Sequence, residues 1–116
     1  MTIEDLQQLC GQLPGVTEDI KWEQDLCFCV GGKMFLVVGL GHRPTTASFK
    51  VTPEEFSEMT TRIGFAPAPY LARHHWVLAE DISNLRREEW EKYIPQSYKL
   101  VASRLPKKLQ QGLRLS

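Results

Sequence analysis

The sequence predicts an α+β domain, in which an antiparallel sheet of about five strands packs against helices. Two apolar runs, residues 26–30 and 33–40, flank the pair Gly31-Gly32, which is typical of a β-hairpin with a tight turn. Residues 52–55, Thr-Pro-Glu-Glu, combine a favoured N-cap, a proline in the first helical position and a glutamate in the capping-box position. Antiparallel strands interspersed with amphipathic helices define this fold class.

The N-terminal half reads as a helix followed by four strands. Thr2 can cap the first helix with Asp5 in the capping-box position, and residues 16–22 alternate loosely, as in a first strand. Residues 47–51 alternate as in a half-buried fourth strand. The turn predicts the hairpin register, which pairs Val30 with Lys33, Cys29 with Met34 and Phe28 with Phe35.

The C-terminal half reads as a helix, one strand and a long or broken helix, so the full order is α-β-β-β-β-α-β-α(α). After the helix that begins at residue 52, with Phe56, Met59 and Ile63 on its inner face, residues 65–70 contain two prolines. We expect an irregular loop there. Residues 76–79 form the last strand. Ser83 or Asn84 is expected to cap the final helix, which Pro95 kinks or restarts.

Length and composition indicate one domain, residues 1–116, with an ordinary soluble composition. The longest apolar run is too short to span a bilayer. The N-terminus is acidic and unlike a secretory signal, so we expect a cytoplasmic protein. We also expect it to be a monomer. Fourteen basic residues balance fourteen acidic ones, which leaves no overall attraction to nucleic acid. Any phosphate-binding surface must be local.

No catalytic or metal-binding constellation is visible, and we expect neither an enzyme, a cofactor nor a metal site. Cys27 and Cys29 share one face of a strand at a spacing unusual for zinc. Burial as small hydrophobic residues explains them better. The adjacent His74 and His75 would point to opposite faces of a strand. Gly31-Gly32-Lys33 lacks the spacing of a phosphate-binding loop.

Basic residues in loops and at helix ends are the candidates for contact with phosphate groups, although each one can equally be an ordinary solvated surface residue. Lys50 is expected on the polar side of its strand. The candidates are Lys33, Arg43, Lys50, Arg73, Lys99, Arg104, Lys107 and Lys108.

A second candidate is a small polar-rimmed pocket formed by Trp76, Ser97 and Tyr98, joined by Lys33 or Lys50. Tryptophan and tyrosine are more often core residues with a hydrogen-bonded polar end. The core interpretation therefore competes with the pocket for these residues.

Several local patterns keep their order and spacing over nearly the whole chain, and together they resemble the MmcQ/YjbR family of small bacterial proteins. The resemblance implies an α/β domain often compared with a double-wing DNA-binding fold, in which two hairpins project as wings. The patterns are Leu13-Pro14-Gly15-Val16, Gly32-Lys33-Met34-Phe35, Phe49-Lys50-Val51, residues 64–70 with His75-Trp76-Val77, and residues 97–101 with Leu105-Pro106-Lys107.

The leading functional hypothesis is thus a non-enzymatic protein that binds duplex DNA through the basic residues. Fold does not determine function, and two alternatives stay open. One is a protein-interaction or regulatory module that docks through the hydrophobic segment 65–70. The other is a small-ligand binder that uses Trp76, Tyr98 and a lysine.

Overall fold

A computed structural model describes residues 1–112 and confirms the α+β class. Its sheet has six strands in the order β1-β2-β3-β4-β6-β5, and every neighbouring pair is antiparallel. Two short 3-10 turns, Ala72–His74 and Ile82–Asn84, flank β6. The elements are α1 (Ile3–Gly11), β1 (Val16–Lys21), β2 (Asp25–Val30), β3 (Lys33–Gly39), β4 (Thr46–Lys50), α2 (Pro53–Met59), β5 (Phe65–Pro67), β6 (Trp76–Ala79), α3 (Arg87–Ala102) and α4 (Lys107–Gly112).

Helix α3 covers one face of the sheet and encloses the core. The Phe35 and Tyr98 rings meet edge to face at 5.5 Å, and the Phe49 and Trp90 rings meet at 5.4 Å. All four side chains are essentially buried. Each large side chain buried in this way contributes about 1.5–3 kcal/mol to stability. Because side chains alternate along a strand, the other residues of β3, β4 and β6 face away from α3, and we call this second surface the open face.

The β2–β3 hairpin follows the predicted register only as far as a β-bulge. Val30 pairs with Lys33 and Cys29 with Met34, as expected, but Phe28 pairs with Leu36. Phe35 is the extra residue. A bulge lets consecutive residues point the same way, and Phe35 and Leu36 are both fully buried in the core. Burial of both Phe35 and Leu36 therefore stabilises the fold more than an uninterrupted β2–β3 pairing would.

Ser97 bridges β3 and β4 just beyond the last pair of their ladder, Leu36 with Phe49. Its hydroxyl donates to the carbonyl of Phe35 in β3 at 2.6 Å and accepts from the amide of Lys50 in β4 at 3.0 Å. The side chain is completely buried. Unpaired buried backbone groups are costly, so one hydroxyl from α3 satisfies both strands and attaches the helix to them.

The segment after α2 contains a strand where an irregular loop was expected. Phe65–Pro67 forms β5 and pairs with β6 at the edge of the sheet, so the sheet has six strands instead of about five. Pro67 lacks an amide proton, but a proline is tolerated on an edge strand because its outer side needs no ladder bond. Burial of Phe65 holds the short strand against the core.

The helix boundaries confirm two predicted caps and correct three other predictions. Capping boxes begin α1 at Thr2 and α2 at Thr52.

The three corrections concern α3 and the end of α2. Ser83 and Asn84 belong to a 3-10 turn capped by Asp81, and α3 begins only at Arg87. Pro95 lies inside α3, which neither ends nor restarts there. Helix α2 ends at Met59, and Ile63 is fully exposed rather than facing inward.

We expect Ser97→Ala to lower the free energy of unfolding by about 2–4 kcal/mol, because it leaves a buried amide and a buried carbonyl without partners. Urea unfolding monitored by circular dichroism measures this change. Ser103→Ala, at the exposed end of the same helix, is the matched control and should change stability by less than about 0.5 kcal/mol. Equal effects of the two substitutions would contradict the bridging role.

Candidate functional site

The two loops that flank β3 lie at opposite ends of the sheet. The Gly31-Gly32 turn precedes β3 and the loop with Arg43 follows it. The seven residues of β3 separate them by about 20 Å, since a strand rises about 3.3 Å per residue. Lys33 and Arg43 therefore cannot belong to one contiguous patch formed by neighbouring loops.

The turn beside Lys33 packs against the end of α3. Gly31 has φ +57°, and a Cβ placed there would lie 2.7 Å from Cδ1 of the buried Leu105. Only glycine allows both this backbone conformation and this close approach. The contact places Arg104, Lys107 and Lys108, which surround Leu105 in the sequence, at the same end of the molecule as Lys33.

Lys50 lies at this end but is buried instead of reaching solvent as expected. Its Nζ donates to the carbonyl oxygen of His74 at 2.6 Å. Burial, and secondarily the charge of Arg104, lower the pKa of its ammonium group. The hydrogen bond holds the 3-10 turn that contains Arg73, so Lys50 positions that turn and is not free to contact a phosphate.

Six exposed cations thus gather where β2 turns into β3 and α3 ends, a region that we call the basic end. Glu54 and Glu55 begin α2 near it, and the Glu55 carboxylate is held by Gln96 and by Lys92 at 3.4 Å. The acidic first turns of α1 and α3 lie at the opposite end, because both helices run toward the basic end. The six cations are Lys33, Arg73, Lys99, Arg104, Lys107 and Lys108.

The expected pocket of Trp76, Ser97 and Tyr98 does not form, because the sheet separates these residues. Ser97 and Tyr98 belong to α3, and the Tyr98 hydroxyl donates to the carbonyl of Pro14. Trp76 pairs with Lys50 and so shares its face, away from α3. All three side chains are buried, which agrees with the competing core interpretation.

A different pocket lies on the open face. It has a volume of about 740 Å³, and its lining includes two aromatic residues, Trp22 and Tyr70. These side chains are 69% and 99% exposed. Sequence reasoning selected Tyr70 only as part of the segment 65–70 proposed for protein docking, and it missed Trp22, although an aromatic residue within a polar turn is a signal that could have drawn attention to it.

The cysteines do not form a reactive or metal-binding group. Cys10, Cys27 and Cys29 are buried free thiols. Burial raises the pKa of Cys10 to about 12 and that of Cys27 to about 11, and it also raises the pKa of Cys29. Within residues 1–112, no three His, Cys, Asp or Glu side chains come together as metal ligands, and no helix is long and apolar enough to cross a membrane.

We expect all three native thiols to resist an aromatic disulfide reagent at pH 8, because the thiolate is the reactive form and little of it exists at a raised pKa. Absorbance of the released thiol measures the reaction. The urea-unfolded chain is the control and should release three equivalents rapidly. Rapid reaction of the folded protein would contradict the assigned burial.

The chain belongs to the YjbR family, whose family model matches residues 11–100. This match confirms the resemblance found in the sequence motifs. The family's name specifies no reaction. No curated protein matches the chain.

Two solved structures share the fold. A crystal structure of the Deinococcus radiodurans protein DR2400, described as a DUF419 domain, has a TM-score of 0.88 and 27% identity, and the match covers 99% of this chain and 89% of that one. A Pseudomonas syringae protein solved as a structural genomics target has a TM-score of 0.70 and 18% identity, over 86% of this chain and 98% of that one. The second likeness shows the fold alone.

Proposed function

We propose that this YjbR-family protein is a non-enzymatic protein that binds duplex DNA through the basic end. The observation that supports the proposal is the separation of charge in a chain with zero net charge. Six exposed cations, drawn from a β-turn, a 3-10 turn and the two C-terminal helices, share one end of the molecule. Such positions suit contact with phosphate oxygens.

The cations of the basic end are available for a ligand. Among the residues that the structure describes, four ion pairs occur, and their cations are Arg62, Arg86, Arg87 and Lys92. None of these four belongs to the basic end. Those four cations neutralise neighbouring carboxylates, whereas the cations of the basic end have no carboxylate within 4 Å among residues 1–112.

The zero net charge limits the strength of binding. The acidic opposite end adds no attraction to DNA, so affinity depends on the few local contacts and falls steeply with salt. Six phosphate contacts correspond to a slope of log K against log salt of about −5. Arg43, at the other end of β3, should not contribute.

The structure weakens the two alternative hypotheses as they were framed. Phe65 and Ala68 of the hydrophobic segment are buried, so truncating that segment would remove part of the core and an edge strand. The ligand pocket around Trp76 and Tyr98 does not form. Only three residues of the hydrophobic segment remain exposed as a docking surface, namely Pro67, Pro69 and Tyr70.

We expect fluorescence anisotropy to detect binding of a labelled duplex at low salt, with an affinity that falls as salt rises. The double variant Lys107→Gln/Lys108→Gln should weaken binding and make the slope of log K against log salt shallower by about 2, since each lost phosphate contact removes about one unit. The measurement is a salt titration of both proteins.

Arg43→Gln is the matched control, since it removes one exposed cation from the opposite end, and it should leave the affinity and slope unchanged. Absence of binding at low salt would overturn the proposal. An effect of Arg43→Gln equal to that of the double variant would contradict the assignment to the basic end.

A further inference from the structure

We propose that the pocket on the open face binds a small organic cation, namely an aromatic or aliphatic body with an ammonium group. This site is distinct from the basic end, and the inference does not depend on DNA binding. It rests on the shape of the pocket, on two exposed aromatic rings and on the charges at the rim.

The floor of the pocket suits an apolar ligand body. Val37, Ser48 and Leu78 lie side by side on β3, β4 and β6, and each is only half-buried. No helix covers this row, because α3 packs on the other face. A volume of about 740 Å³ falls within the range of small-molecule sites, roughly 300–1,000 Å³.

Trp22 and Tyr70 stand at the rim with left-handed backbone conformations, and that of Trp22 belongs to the tight turn between β1 and β2, where Glu23 also has a positive φ angle. The φ angles of Trp22 and Tyr70 are +51° and +65°, a region that bulky residues rarely adopt and that costs about 1–3 kcal/mol per residue. Both side chains are largely exposed, so little burial offsets this cost. Residues held in this way are found preferentially at ligand-binding positions.

The rim has more negative than positive charge. Asp25, Glu80 and Arg43 line the pocket, and none of them has an ion-pair partner within residues 1–112. Two carboxylates against one guanidinium leave these three side chains with a formal net charge of −1. A ligand cation complements this charge, whereas an anion would meet two carboxylates.

Gly39 lies in the lining of the pocket beside Asp25. It pairs with Asp25 on one side and with Thr46 on the other. A Cβ at Gly39 would collide with Thr46 Oγ1 and lie 2.8 Å from Cδ2 of His42. The absent side chain therefore lets Thr46 and His42, which also line the pocket, pack closely against β3.

Aromatic rings and carboxylates together recognise organic cations. The face of a tryptophan or tyrosine ring attracts an ammonium group electrostatically, and the carboxylates add charge-assisted hydrogen bonds. Exposed aromatic rings beside an apolar floor therefore select for charge as well as for shape. The positive charge of Arg43 repels a ligand cation. Removing that charge therefore tests whether the pocket prefers cations or anions.

Isothermal titration calorimetry with three indole probes of equal shape and different charge tests the proposal: tryptamine, tryptophan and indole-3-propionate. We expect tryptamine to bind at least tenfold more tightly than indole-3-propionate. Asp25→Asn/Glu80→Gln should reduce that preference at least tenfold. Glu88→Gln, an exposed acidic residue of α3 outside the pocket, is the control for a change of charge and should have no effect.

Two further variants separate loss of binding from loss of folding and show whether the pocket prefers cationic or anionic ligands. Tyr70→Gly should abolish tryptamine binding and keep or raise Tm, because glycine relieves the positive φ angle. Arg43→Gln should strengthen tryptamine binding about twofold to threefold, since it removes a like charge.

Three results would overturn the proposal. One is the absence of binding heat from all three probes at about 1 mM, a concentration that reveals even weak sites. The second is binding of indole-3-propionate as tightly as tryptamine. The third is weaker tryptamine binding by Arg43→Gln. None of these results bears on the DNA measurement, which concerns the other end of the sheet.

Discussion

The hydroxyl of Ser97 is the interaction on which the arrangement of this domain depends. A bulge at Phe35 in the β2–β3 pairing gives the core a second large side chain. Ser97 bridges Phe35 of β3 and Lys50 of β4, one position beyond the last pair of the β3–β4 ladder, and thereby attaches α3 across the two central strands. The position of the helix therefore follows from the need to satisfy two buried backbone groups.

That attachment determines where the charged and apolar surfaces of the protein lie. With Ser97 over β3 and β4, α3 runs toward the β2–β3 turn, and Leu105 packs against Gly31. The basic residues after α3 join Lys33 there. Because α3 occupies one face, no α-helix within residues 1–112 covers the pocket on the opposite face, which forms between the loops that contain Trp22 and Tyr70. The positions of the two proposed binding sites therefore both follow from the packing of α3 on one face of the sheet.

Local chemistry made much of the fold predictable, whereas long-range contacts decided the rest. Capping boxes and the two-glycine turn specify their own geometry, so the starts of α1 and α2 and the first pairs of the hairpin were correct. The bulge depends on α3, which is distant in the sequence. The pairing of β5 with β6 and the burial of Lys50 against His74 likewise depend on tertiary partners. No residue pattern distinguishes such a buried lysine from a solvated one, and only folding brings Trp22 and Tyr70 to the same pocket.

The proposed basic end and the pocket of the open face should act independently when the protein meets nucleic acid. Heteronuclear NMR of the ¹⁵N-labelled protein, titrated with a short duplex at low salt, distinguishes the two surfaces. We expect amide shifts to change at Gly31, Gly32 and Lys33, and at the residues flanking Pro106, namely Arg104, Leu105, Lys107 and Lys108. The indole resonance of Trp22 should stay in place. Shift changes confined to Trp22, Arg43 and Tyr70, or no changes at all, would overturn the assignment of DNA binding to the basic end.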